Sequence, residues 1–200
     1  GTVMDERFPA VALIQNEVPR HPVGVYQGNG IGVFTAEIQF EKEQDIAFGS
    51  TVLEWFTAGG FEQLIIIDGI LKPEKEVQGE GLFAVGASEK ARKRLKEMDL
   101  HTIQRGIVSG ITGFLLSEGD RLNLDITALL SEASPMYPDV RAAAVAIEAI
   151  TEMTGVDIPL SKMLESAREI EHSVQEIIQN STPLLPSPSD DDVENDPSFG

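Results

Sequence analysis

The chain contains no cysteine. Disulfides, thiolate metal sites and cysteine nucleophiles are therefore excluded, and a reducing, cytoplasmic setting is the expectation. Bases are scarce: 15 Lys and Arg stand against 33 Asp and Glu, a formal charge of −18. The last twenty residues hold Asp190, Asp191, Asp192, Glu194 and Asp196 with no base, leaving 28 acids against 15 bases elsewhere. A field of that sign repels phosphate backbones, so no nucleic-acid partner is expected. Long apolar runs are missing too. The longest, Ala142–Ile147, falls far short of the ~20 residues a membrane-spanning helix needs. No basic stretch followed by an apolar one opens the chain, and the expectation is that no signal peptide or membrane segment is present.

What is present suits one folded domain. Two hundred residues, 42% of them hydrophobic, can bury a substantial core. Val11–Ile14, Val23–Gln27 and Ile31–Glu37 read as short strands separated by Pro, Arg, Gly and Asn. Gly28-Asn29-Gly30 suits the hairpin turn between the latter two, because Gly and Asn accept positive φ. From Asp45 to Ala58 the period becomes helical, with Ile46, Gly49, Val52, Leu53 and Phe56 on one face and Gly59-Gly60 as the stop. Gln63–Asp68 contains Leu64-Ile65-Ile66-Ile67, apolar on both faces, which predicts a strand in the middle of a helix-covered sheet.

A polar loop, Lys72–Gly81, leads to a strand at Leu82–Gly86. Ser88 caps a helix over Glu89–Met98, and a short strand follows near Thr102–Gln104. Ile111–Ser117 fits helix or strand and is read as helix; Leu122–Leu130 is read as strand, although Leu and Asn there also suit a helix. Pro138-Asp139 begins a helix over 138–154, striped by Val140, Ala144, Ile147 and Ile150 and ended by Gly155. A second helix, 159–179, carries Leu160, Met163, Leu164, Ala167, Ile170, Val174, Ile177 and Ile178 at i, i+3, i+4 spacing. Its stripe serves as core, with part of it available between subunits. The reading is one α/β domain over 1–180 ending in this helical pair, then a disordered acidic tail at 181–200.

Catalytic patterns are sparse. Gly28-Asn29-Gly30-Ile31-Gly32 has Val33 where a dinucleotide fingerprint needs its third glycine, and no phosphate-loop Gly-Lys-Ser/Thr occurs. No HExxH, paired-histidine or acidic calcium-loop spacing is present, so no metal or cofactor is expected. His21, His101 and His172 fall in unrelated contexts. Ser109 lacks the glycines two residues to either side that a nucleophile elbow needs, Ile107 and Ile111 standing there, and close backbone packing explains Gly106 and Gly110 better. Asp68-Gly69 is the best place for a small-ligand site, since ligands of open α/β sheets bind outside strand carboxyl ends. A lone Asp there is more often a turn residue. Lys90, Arg92, Lys93, Arg94 and Lys96 surround an Ala91, Leu95, Met98 stripe. They form either a solvated face or a docking patch for an acidic partner, including the chain's own tail.

Several blocks, in order, resemble the proteasome assembly chaperone family. They are Thr51-Val52-Leu53-Glu54-Trp55 with Leu64-Ile65-Ile66-Ile67-Asp68-Gly69, then Gly106 through Leu116, Leu129-Leu130-Ser131-Glu132, Tyr137-Pro138-Asp139-Val140-Arg141-Ala142-Ala143, and Leu164 through Glu171. Together they span most of residues 10–180. The resemblance implies a three-layer α/β/α sandwich with a mixed central sheet, and a protein-binding role with no catalytic residues. It also implies homo-oligomers and, as partners, subunits of the proteasome core particle.

Some members of that family resemble proteasome activators and dock through a C-terminal hydrophobic-Tyr-any-residue motif. This chain ends Ser198-Phe199-Gly200: the penultimate aromatic is kept, while Phe replaces Tyr and Ser replaces the apolar residue. A twenty-residue arm would reach about 25 Å, and several arms on one oligomer would add avidity. Family members usually open with a further glycine-containing strand and helix, where this chain starts at Gly1-Thr2-Val3. A fragment or a reduced member is therefore expected. The alternative function is a hydrolase or phosphorylase-like enzyme with its site near Asp68 and the Lys72–Gly81 loop, by fold analogy alone.

Overall fold

The computed structural model describes residues 1–2, 11–28, 30–38, 40–71, 81–133, 139–161 and 164–165. The chain forms two compact units, Gly1–Ile158 and Pro159–Gly200. The first holds eight described strands and four helices: β1 (Leu13–Gln15), β2 (Val18–Arg20), β3 (Val23–Gly28), β4 (Ile31–Ala36), α1 (Lys42–Ala58), β5 (Leu64–Leu71), β6 (Leu82–Gly86), α2 (Glu89–Glu97), β7 (His101–Thr102), α3 (Gly110–Leu122), β8 (Ile126–Ala133) and α4 (Val140–Thr154). In the second, positions 160–161 and 164–165 are helical. The rest of the expected 159–179 helix, and the 181–200 tail, lie outside the described residues.

Two antiparallel hairpins, β1–β2 and β3–β4, precede a four-stranded sheet ordered β5-β8-β6-β7. β8 is parallel to β5 and antiparallel to β6, and β6 is parallel to β7, so the fold is mixed α/β. Strand alternation divides the core. Leu64 and Ile66 join Val23, Phe48, Val52 and Leu115, whereas Ile65 joins Ala84, Leu95, Leu129 and Ala149. Successive residues of a strand face opposite ways, so α1, α3 and the β3–β4 hairpin lie on one face of the sheet, and α2 and α4 on the other. On the first face Phe34 meets Phe48 and Trp55 edge-on, at 5.2 and 5.6 Å. A Cβ on Gly49 would stand 2.4 Å from the Phe114 ring, so α1 and α3 approach this closely only because that position has no side chain.

The helix ends follow from local chemistry. Gln44 Oε1 accepts the Glu41 amide at 2.9 Å and starts α1 three residues before the expected Asp45. Gly60, at φ +67°, follows the C-cap and turns the chain away. Ser88 Oγ accepts the Ala91 amide at 3.2 Å, and Asp139 Oδ1 the Ala142 amide at 3.0 Å, so both expected caps are formed. Gly155, at φ +70°, closes α4.

Four sequence expectations are corrected. Gln63–Asp68 is a strand, but it continues to Leu71 and among the described residues it flanks the sheet; the centre of the described sheet belongs to β8, which is buried from Ile126 to Glu132. The strand read at Leu122–Leu130 begins at Ile126, because α3 extends through Leu122 and Asn123 ends it in the left-handed region at φ 53°. Asn tolerates that conformation through its short polar side chain. Ile46 is 64% exposed, and Phe48 takes the buried place on α1. On α4 the buried positions are Ala142, Ala144, Ala146 and Ala149; of the expected stripe only Ala144 is fully buried, Val140, Ile147 and Ile150 are half-buried, and Ala149 with Ile150 and Met153 packs into the core on this face of the sheet.

Candidate functional site

Asp68 sits inside β5 rather than at its end. Its Oδ2 accepts the Thr112 hydroxyl of α3 at 2.7 Å, and its Oδ1 accepts the Gly69 amide at 2.8 Å. Thr112 is buried while Asp68 is exposed. The pair is thus a clasp between sheet edge and helix, reached from solvent on the carboxylate side. Both oxygens already hold donors of this chain, an arrangement suited to bracing β5 on α3. Residues 72–80 of the loop proposed beside it lie outside the described residues.

A second polar cluster lies on the opposite face of the sheet. Arg94 grips Asp125 with two nitrogens, at 2.6 and 3.0 Å, and reaches Thr127 Oγ1 at 3.3 Å. Lys90 adds its ammonium at 3.1 Å. Asp125 is only 8% exposed. Burial alone would raise its pKa, but the hydrogen bonds from Arg94 and Lys90, with their charges, hold the carboxyl below the usual range.

Most of the basic helix is therefore committed. Besides Arg94 and Lys90, Arg92 donates to the Ala87 and Gly86 carbonyls at 2.6 and 3.2 Å, and Lys93 lies 3.8 Å from Glu97. Four of the five bases have partners within the fold, which favours the solvated-face reading of α2 over a docking patch. Neither Thr112 nor Asp125 was marked by its sequence neighbourhood. The one available signal was an acid placed just before an apolar strand, with five bases in a helix 29–35 residues upstream.

The remaining candidates are dispersed. Val23's amide donates to His21 Nδ1 at 3.2 Å, and His101 stands edge-on to Phe83 at 5.0 Å. Among the described residues no group of His, Cys, Asp and Glu could hold a metal ion, and no helix is long and apolar enough to cross a membrane. Ser109 is the N-cap residue of α3, and Gly110 follows at φ +69°. His172, Ser198, Phe199 and Gly200 lie outside the described residues. Exposed large apolar side chains are spread over the described surface: Val11, Ile14, Val18, Tyr26 and Val33 on or beside the hairpins, Ile46 on α1, Ile67 and Leu71 on β5, and Ile107 just ahead of α3.

Fold and surface define a mixed α/β protein whose described polar clusters hold its own elements together. The chain belongs to the PAC2 family, whose pattern it matches over residues 1–178, in agreement with the ordered blocks of the sequence. It is similar to PbaA of Pyrococcus furiosus, an archaeal homolog of proteasome-assembly chaperone, with a TM-score of 0.80 and 24% identity over 90% of this chain and 75% of that one. PbaB of the same organism, an archaeal proteasome activator, gives a TM-score of 0.68 at 21% identity over 86% and 79%. An uncharacterized protein of Methanocaldococcus jannaschii is 20% identical over 175 residues, 88% of this chain and 71% of that one.

Proposed function

We propose that this protein engages the proteasome core particle as an assembly chaperone or activator, acting by recognition in the cytoplasm and not by catalysis. The observation that carries the reading is membership of the PAC2 family across residues 1–178, joined to the likeness with PbaA and PbaB. The working form is a homo-oligomer of three-layer α/β/α domains spanning 1–180. The acidic segment 181–200 tethers Ser198, Phe199 and Gly200, the residues that enter a pocket of the core particle. Occupation of both Asp68 oxygens by this chain's own donors gives the small-ligand alternative no support.

Native electrophoresis against a core particle from the same source tests this reading, comparing the intact chain with one lacking Ser198–Gly200. Binding that disappears with those residues is the expected result. Binding that survives would move recognition to the folded face, and binding by neither form would overturn the proposal.

A further inference from the structure

Among the described residues the only strand neighbour of β5 is β8. The Leu64 amide donates to the Asp125 carbonyl at 2.9 Å. Alternation along a strand then turns the backbone groups of even-numbered residues toward β8 and those of Ile65, Ile67, Gly69 and Leu71 outward. Gly69 agrees: its amide is bonded to Asp68 Oδ1. This outer edge has none of the usual protections, neither proline nor lysine, and its single charge is clasped by Thr112. Ile67 is 50% exposed and Leu71 74%. Being four residues apart on a strand, they share a face.

We propose that this edge pairs antiparallel with the same edge of a second copy, setting Ile67 against the partner's Leu71 and Gly69 against itself across a two-fold axis. This deepens the homo-oligomer reading above and rests on it. The occupant is argued from the segment's own complementarity. Four registers place outward backbone groups opposite one another while pairing at least five residues of β5 with β5. Centred on Ile66, Leu71 falls beyond the partner's strand and stays uncovered. Centred on Asp68, two carboxylates oppose, which is unfavourable. Centred on Ile67, Leu71 lies opposite the partner's Gln63 and stays uncovered. Centred on Gly69, the two exposed side chains cover each other twice, Asp68 faces the partner's Ile70, and no side chain stands on the axis. An isologous contact of this kind closes by itself. In a chain of charge −18, an eight-residue strand with a single acid limits the repulsion between two copies. On association the Gly69 amide exchanges its bond to Asp68 for one to the partner's Gly69, while Asp68 keeps Thr112.

The cysteine-free sequence permits a direct test with full-length Gly69→Cys. A Cβ there meets only the Ala133 Cβ, at 3.6 Å, so the fold accommodates it. Hydrogen-bonded antiparallel neighbours have Cα atoms about 5.5 Å apart, within disulfide range. Under mild oxidation Gly69→Cys is expected to form a covalent dimer, and Gly28→Cys, exposed on the β3–β4 hairpin, is expected to remain monomeric. Adding Leu71→Lys should abolish the cross-link and weaken the light-scattering dimer at least tenfold, with the near-ultraviolet signal of Trp55 retained as evidence of folding. An oligomer that forms while Gly69→Cys gives no covalent dimer, and that ignores Leu71→Lys, would overturn this seam while leaving self-association standing. A monomeric chain would overturn both. Slow exchange of the outward amides of Ile65, Ile67 and Leu71 in a monomer would assign the edge to a segment of the same chain, also against the proposal.

Discussion

Arg94 on α2 holds Asp125, the residue just before β8, through two hydrogen bonds of 2.6 and 3.0 Å. The bidentate grip joins a surface helix to the entry of the central strand. Removing the guanidinium leaves the nearly buried Asp125 with the largely exposed Lys90 as its cation. Arg94→Ala is expected to cost about 1.5–3 kcal/mol, read from urea unfolding. Asp125→Asn keeps the shape and loses the charge, and should cost less. An Arg94→Ala loss below about 1 kcal/mol would show that water reaches Asp125 freely.

The same pair sets a pH dependence. The folded-state pKa of Asp125 lies below its ordinary 3.8. Its contribution is therefore complete above the unfolded value and is lost as pH falls through the folded one. Stability measured from pH 6 down to pH 2 should fall more steeply for the natural chain than for Asp125→Asn, with the difference developing below about pH 4. Parallel curves would remove Asp125 from the acid response.

Gly113 lies in the first turn of α3, where a Cβ would stand 2.3 Å from the Val108 carbonyl oxygen. Backbone cannot step aside as a side chain can. Gly113→Ala should therefore destabilise the fold by about 1–3 kcal/mol, although alanine is the better helix former. Gly28→Ala meets nothing within 4 Å and serves as the neutral control in the same thermal melts.

Thr112→Val removes the hydroxyl that Asp68 accepts while keeping the β-branched shape. Asp68 is exposed and can turn to water, so a loss of about 0.5–1.5 kcal/mol is expected. Faster amide exchange at the start of α3 should accompany it. A loss above about 3 kcal/mol would mean that the clasp carries more than one ordinary hydrogen bond.

Ser88→Ala removes the cap that holds the Ala91 amide and should cost about 1.5–2 kcal/mol. A larger loss is expected than for a typical exposed cap, because Ser88 is buried. Chemical denaturation of the single variant checks this.

Wherever the determinant is local, the sequence was legible. Ser88 and Asp139 stand where caps are needed, Gly155 where a left-handed residue is needed, and Leu82–Gly86 is a strand with the bounds its pattern indicates. The β1–β2 turn was readable only in part. Asn16 suits its positive φ of 51°, but Glu17 at φ 65° carries no such signal, and β2 went unrecognised. Of the polar clusters, the bases of α2 were visible, while their target Asp125 was not, because a long stretch of intervening chain has to bring it back to the helix.

Local chemistry in the sequence determined the strand and helix periods, the caps, the acidity and the absence of thiols, because each depends on near neighbours or on composition alone. The order of blocks likewise carried the family. Only tertiary structure decided that β8 rather than β5 is the buried centre of the described sheet, that Ala149 and Ile150 together meet it from α4, and that Asp68 braces α3. Those outcomes depend on which strands pair and how closely helices approach. Such contacts form between residues far apart in the chain, and an apolar run such as Leu64–Ile67 reads the same at the edge of a sheet as at its middle.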